Sequence, residues 1–261
     1  MAKMDNAAVL TREFYRKIAR QLLPMRIRRW LRALRQRRYR TGESRVDLGD
    51  LRRTKPFSRE FGYDRGQPID RYYIENFLAR HADDIQGGVL EVKENSYTRK
   101  YGGRRVSVSD VLDLDEGNYQ ATIVADLTHA DHVPSGTFDC IIFTQTLQLI
   151  YDIRSAMRTL YRLLKPGGVL LATVPGVSQI SHEHCGSSWC WSFTQLSVQQ
   201  LLREVSQVAG VEVQAYGNVL VAVAFLHGLA AEELGGEELD YHDPDYEVLI
   251  TFRVVKPEAE P

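Results

Sequence analysis

Cysteine is scarce in this chain of 261 residues: three are present, an odd number that makes no disulfide framework. Cys140 lies in an apolar run, and Cys185 and Cys190 sit close together in a loop-like stretch. A reducing cytoplasm is therefore the expected compartment. Long apolar runs are lacking as well. The longest, Val219 to Leu226, is far too short to span a bilayer. The N-terminus has no apolar core followed by small residues, so a secretory signal is not expected. Internal repeats and low-complexity tracts are also missing, which argues against solenoids and disordered linkers.

What is present is a soluble-protein composition, 44% hydrophobic and 26% charged, long enough for one large α/β domain with appendages. The net charge of −1 hides an asymmetry. Residues 11–40 hold 12 Lys/Arg against one acidic residue, and the rest carries 21 basic against 33 acidic groups. Helical spacing runs over residues 8–22 (Val9, Leu10, Phe14, Ile18, Leu22), is interrupted at Pro24, and resumes from Met25 to Arg38. Residues 1–56 are expected to form a basic helical arm and linker, and 57–261 a second domain. The arm suits an anionic membrane surface or an acidic partner, which would make the protein peripheral at the inner membrane surface. The plainer reading is a helix that packs its apolar stripe and solvates its arginines. No RNP, finger or helix-turn-helix pattern accompanies the charge, which argues against nucleic acid.

Phe138 to Gly176 carries the clearest pattern in the chain. An apolar run, Cys140 to Phe143, stops at Thr144-Gln145-Thr146. Helical spacing follows (Ile153, Met157, Leu160, Leu163, Leu164), then Pro166-Gly167-Gly168, then a second apolar run, Val169 to Val174. Strand, helix, turn, strand is a parallel crossover unit. Ligands of open parallel sheets bind beyond the carboxyl ends of the strands. Further strands are expected at Val89–Val92, Arg105–Val111, Ala121–Ala125, Val211–Tyr216 and Tyr246–Val255, the last as an edge or antiparallel partner. Helices are expected from Ile69, with Tyr73, Ile74, Phe77 and Leu78 apolar, over Ser197–Val208, and over Val219–Leu234. The first of these either covers the sheet or forms a lid before the first strand, with Tyr72 on another face as a candidate acceptor contact.

Glu91, Asp110 and Asp126 fall at three successive expected strand ends. Carboxylates there suit a nucleoside, accepting hydrogen bonds from ribose hydroxyls or an adenine amino group. Solvated strand-end carboxylates are common, so the weight lies in the set. Together with VLEV, DVLD, ADL, FDCIIFTQTLQLIYD and LLKPGGVLLATVP, this order of elements resembles the class I S-adenosylmethionine-dependent methyltransferases. The lead-in FGYDRGQPIDRYYIENFL is similar to that of a bacterial methyltransferase type 11 group. The resemblance implies an α/β, Rossmann-like seven-stranded sheet in the order 3-2-1-4-5-7-6, with strand 7 antiparallel and helices on both faces. It implies S-adenosylmethionine as cofactor, with Asp110 beside Val111 on the ribose and Asp126 with Leu127 around adenine. Thr144, Gln145 and Thr146 would then line the methionine side, with Glu91, Val92 and Lys93 after the first strand.

One departure stands out. Family members place a Gly-rich turn after the first strand, where backbone approaches the cofactor; here Lys93-Glu94-Asn95-Ser96 follows Val92. Either Lys93 pairs with the methionine carboxylate and the loop takes a wider path, or the cofactor site is altered. Retained binding is the expectation, because the other strand-end groups are present. After the fifth strand, His182 and His184 are candidate general bases, and Trp189 and Trp191 candidate walls for an acceptor. For any one of them, a packed tryptophan or solvated histidine is the plainer reading. His182, His184, Cys185 and Cys190 match no standard zinc spacing, so no metal is expected. His227 and His242 read as structural. The expected activity is methyl transfer to a small-molecule acceptor such as a sugar or glycan hydroxyl. The alternatives are a silent scaffold or a repurposed fold that catalyses, for example, a cyclisation.

Overall fold

The computed structural model describes residues 49–181, 189–205 and 210–258. The chain divides between Arg53 and Thr54, and the account below concerns the second unit. The two basic helices expected over 8–22 and 25–38 lie outside the described residues, as do His182, His184 and Cys185. Among the described residues, no helix is long and apolar enough to cross a membrane.

Seven strands form one sheet: β1 (Gly87–Val92), β2 (Val106–Asp113), β3 (Ile123–Val124), β4 (Phe138–Thr144), β5 (Leu164–Pro175), β6 (Gly210–Tyr216) and β7 (Leu249–Val255). Their order is β3-β2-β1-β4-β5-β7-β6, the order the resemblance implies. β1 to β5 pair in parallel, and β7 runs antiparallel to both β5 and β6. Burial on both faces explains why β4 and β5 read as unbroken apolar runs.

Helices cover both faces. Against one face, α1 (Ile69–Arg80), α4 (Val219–Leu226) and the short α5 (Gly236–Asp240) pack on Val89, Cys140, Ile142 and Leu171. On the other, α2 (Ile153–Leu163) and α3 (Gln195–Val205) pack on Leu90, Ile141, Phe143 and Leu170. The crossover from β4 to β5 forms where its sequence signals stand. Asp152 caps α2 by accepting a hydrogen bond from the Ser155 N–H, 3.1 Å, which satisfies an otherwise unpaired helix-end donor. Ala156, Met157, Leu160 and Leu163 make the buried stripe, and Gly167 turns at φ +76°.

Several boundaries differ from expectation: β5 already starts at Leu164 rather than Val169, and β7 only at Leu249 rather than Tyr246. β2 continues past Val111 to Asp113, because Val111 and Leu112 still pair with Glu91 and Val92. β3 keeps only two of the five expected residues. The helix expected to reach Leu234 stops at Leu226. There Gly228 turns at φ +68°, and a Cβ on it would lie 2.4 Å from the Ser58 carbonyl oxygen. Backbone packs too closely at that point for the helix to run on.

Candidate functional site

β1 and β4 are neighbours, yet the chain leaves β1 towards β2 on one side and β4 towards β5 on the other. Such a reversal opens a crevice at the carboxyl edge of a parallel sheet. α1 reaches the same edge: its 12 residues span about 18 Å, close to the ~20 Å of six-residue β1. Its end connects to the amino edge of β1, so its start lies over the carboxyl edge.

The loop leaving β1 is built on Glu91. This side chain is buried. It accepts hydrogen bonds from the Thr98 N–H and hydroxyl, each 2.7 Å, and from the Tyr97 N–H, 3.2 Å. Burial pushes its pKa up, opposed by the Thr98 and Tyr97 bonds. Glu91 thus shapes the loop and has little accepting capacity left for a ligand, contrary to its expected place among direct contacts. Two residues on, Lys93 takes φ +74°, a left-handed conformation that glycine adopts freely and lysine rarely. The Lys93 N–H donates to the Leu112 carbonyl, 2.9 Å, and its carbonyl accepts from Asn118 Nδ2, 2.7 Å. The backbone therefore makes a glycine-type turn without glycine, rather than the wider path considered above.

Asp110 is corrected too. It pairs with Leu90 in mid-strand and accepts from the Thr122 hydroxyl, 2.8 Å; Val111 beside it is buried. The carboxylate at the strand end, level with Lys93, is Asp113. It is half-buried and accepts from Asn118 Nδ2, 2.7 Å, and from the Asp115 N–H, 3.2 Å. The continuing apolar pair Val111-Leu112 was the signal that placed the end later. After β3, Asp126 accepts from the Thr128 N–H and hydroxyl, each 2.8 Å, and these bonds lower its pKa. The Leu127 side chain is buried in the core, so only its backbone can meet a ligand.

At the end of β4, Gln145 takes φ +48°, and its N–H donates to the Thr173 carbonyl, 3.0 Å. Thr146 bonds back to the Thr144 carbonyl, 2.9 Å. Non-glycine residues with φ above zero are uncommon. Three occur among the described residues, and two of them, Lys93 and Gln145, end the two strands that flank the crevice. Gln148, which the sequence reading missed, supports this corner. It is buried and donates to the Gln145 carbonyl, 2.8 Å, and side-chain oxygen, 3.2 Å. Its own carbonyl accepts from the N–H groups of Cys190 and Trp191, 2.8 and 3.2 Å. A second glutamine between Leu147 and Leu149 was the available clue.

Trp191 is thereby tied to the carboxyl end of β4. Its indole N–H donates to the Ile150 carbonyl, 3.0 Å, and its ring stacks on Tyr151 with centroids 5.9 Å apart. Trp189 is half-buried. Tyr72 falls elsewhere: its hydroxyl donates to Asp240, 2.8 Å, on the α5 side, because the helical turn carries it past the loop after β1. The helix residues that meet that loop are Arg71, bonded to Tyr97, and Glu75, bonded to Lys100. His227 stacks near Phe57 with centroids 5.5 Å apart, and its carbonyl accepts from the Phe57 N–H, in keeping with a structural part. Among the described residues no group of three potential metal ligands occurs. Two clefts of about 570 and 440 Å³ lie at the β6 edge and at the amino edge of β1, β4 and β5. Neither carries the strand-end groups, so size does not mark the site here.

Residues 96–172 match the family described as Methyltransferase domain. The ubiquinone/menaquinone biosynthesis C-methyltransferase UbiE of Enterobacter sp. (strain 638) is 29% identical, the match covering 55% of this chain and 71% of that protein. Among solved structures, phosphoethanolamine N-methyltransferase 2 of Haemonchus contortus is similar over 72% of this chain and 53% of that longer one, at 16% identity and a TM-score of 0.48. A SAM-dependent methyltransferase from Archaeoglobus fulgidus is similar over 71% of this chain and 94% of that one, at 10% identity and a TM-score of 0.48. The chain is thus similar, over the matched segment, to S-adenosylmethionine-dependent methyltransferases, and its strand order is the one that the resemblance implies.

The backbone at Lys93 gives a direct stability test. A lysine in the left-handed region costs about 1–2 kcal/mol, whereas a glycine costs roughly 0.5–1 kcal/mol in lost chain entropy. Lys93→Gly should leave stability in urea unchanged or raise it by up to ~1 kcal/mol, and Lys93→Val should lower it by about 1 kcal/mol or more. A loss on Lys93→Gly would contradict the strained turn.

Proposed function

We propose that the chain binds S-adenosylmethionine over the carboxyl ends of β1 and β4 and methylates a small molecule held beside Trp191. The adenosine end lies towards Asp113 and Asp126, and the methionine end over Lys93 and Gln145. The observation that carries this reading is the pair of left-handed residues ending the two flanking strands. Both sit where backbone, rather than side chain, must come close to a ligand. The residues fit the group: a half-buried strand-end carboxylate for hydroxyls, a second carboxylate and a main-chain segment after β3, and a tight turn after β1.

When bound, S-adenosylmethionine supplies an electrophilic methyl group on a sulfonium. The chain's own task is positioning. Asp113 accepts hydrogen bonds, and the Gln148 amide holds Gln145 in place. The same residue's main-chain carbonyl fixes the Cys190–Trp191 segment, so both sides of the reaction are referred to one buried residue. Holding an acceptor in line accounts for much of the acceleration in such displacements. His182 and His184 remain the proposed bases, needed if the acceptor is a hydroxyl. Trp191 has its N–H already bonded, so it offers a flat face rather than a donor. That suits the apolar face of a sugar ring, and a sugar or glycan hydroxyl is the first acceptor reading. An aromatic ring carbon is the second, supported by the quinone methyltransferase relative. Residues 11–40, with 12 Lys/Arg, would attach the protein to anionic lipid. Co-sedimentation with anionic vesicles that weakens with salt, and none with neutral ones, is the expected result; equal binding to both would contradict it.

Isothermal titration with S-adenosylhomocysteine tests the site. Asp113→Ala should weaken binding roughly 10- to 100-fold, the loss of charge-assisted hydrogen bonds worth ~1.5–3 kcal/mol. Asp110→Ala should stay within about threefold of the parent, since it pairs with Leu90 in mid-strand, three residues before the strand end. The reverse order would return the ribose to Asp110.

A further inference from the structure

The start of α1 holds a guanidinium whose partners are unusual. Arg71 Nε donates to the Tyr63 hydroxyl, 2.7 Å, and Nη1 to the Tyr97 hydroxyl, 3.3 Å. Among the described residues Nη2 has no hydrogen-bond partner, and no carboxylate stands within salt-bridge distance of the group. The residue is half-buried. Burial opposes its charge, but the field of Asp70 and the two tyrosine hydroxyls hold its pKa above the ordinary value. Burial also pushes the neighbouring Asp70 carboxyl up, and Tyr97 up to about 12. Arg71 is therefore a fixed cation held by neutral hydroxyls, with part of its planar fork open. Guanidinium forks of this kind suit a carboxylate, which they bind through two parallel hydrogen bonds.

Its place on the fold says which carboxylate. Tyr97 belongs to the loop that leaves β1, and its N–H is bonded to Glu91. Arg71 is thus anchored through two bonds to the strand that ends at Lys93, on the methionine side of the proposed site. Lys93, the other cation there, is exposed, and no hydrogen bond or ion pair holds its side chain among the described residues. A pre-positioned fork loses less freedom on binding than an unconstrained lysine.

We propose that Arg71, oriented by Tyr63 and Tyr97, is the clamp for the carboxylate of the cofactor's methionine end. The assignment rests on the cofactor reading above. It replaces the Lys93 pairing suggested by sequence, and it gives the lead-in segment a binding task besides covering the sheet.

The test compares S-adenosylhomocysteine with decarboxylated S-adenosylhomocysteine, which lacks only the carboxylate, by titration calorimetry on the full chain. The parent should bind the first roughly 10- to 100-fold more tightly than the second. Arg71→Leu should remove that preference, weakening the first ligand and sparing the second. Arg71→Lys keeps the charge but loses the fork; it should retain a reduced preference, and it serves as the second variant if the leucine chain does not fold. Equal weakening of both ligands in the variants, or a preference abolished by Lys93→Ala and untouched at Arg71, would overturn the clamp alone. Binding of neither ligand to the parent would overturn the cofactor reading and the clamp with it.

Discussion

A buried carboxylate at the end of β1 governs much of this molecule. Glu91 is almost wholly removed from water, a costly place for a charge unless hydrogen bonds compensate it. Here three donors from Tyr97 and Thr98 do so. Those bonds fix where the chain goes after Val92. They set the loop that carries Lys93 into its left-handed turn, and they place the Tyr97 ring where its hydroxyl meets Arg71. One side chain thus connects strand, turn and the start of α1. Where the methyltransferases it resembles place glycines, this chain makes a left-handed turn at Lys93 that is held in place from behind.

The second corner of the site has the same logic. Gln145 is held left-handed by its N–H bond to Thr173 and by the Gln148 amide. Gln148 is itself buried, and its side-chain oxygen has no partner. Such a group is tolerated where packing and its other bonds over-determine the position. Its carbonyl reaches forward to Cys190 and Trp191. The proposed cofactor side and acceptor side therefore share a single anchor, which suits a reaction that depends on alignment.

Much of the architecture was legible from sequence. The stripe of Met157 and Leu160 and the break at Pro166-Gly167 announced the β4–α2–β5 crossover, because periodicity and turn chemistry agreed there. The sheet order followed from the resemblance. The strand ends were less legible. Asp110 and Asp113 stand three residues apart in the same apolar stretch, and only pairing with β1 shows that the strand runs on to the second. Lys93 and Gln145 carry no sequence mark of their left-handed backbone, since that conformation is imposed by tertiary hydrogen bonds. Tyr72 and Arg71 are adjacent in sequence, and a helix sends adjacent side chains in different directions. Tyr72 goes to Asp240 and Arg71 to Tyr97.

The proposed cofactor position lies across two strained strand ends rather than in the cleft at the β6 edge or the one at the amino edge. A crystal structure of the full chain with S-adenosylhomocysteine tests it most directly. The account predicts the ligand between Lys93 and Gln145, with its ribose at Asp113. Density for the ligand in the cleft beside Gln214 and Thr251, or at the amino edge beside Asp139, would contradict it.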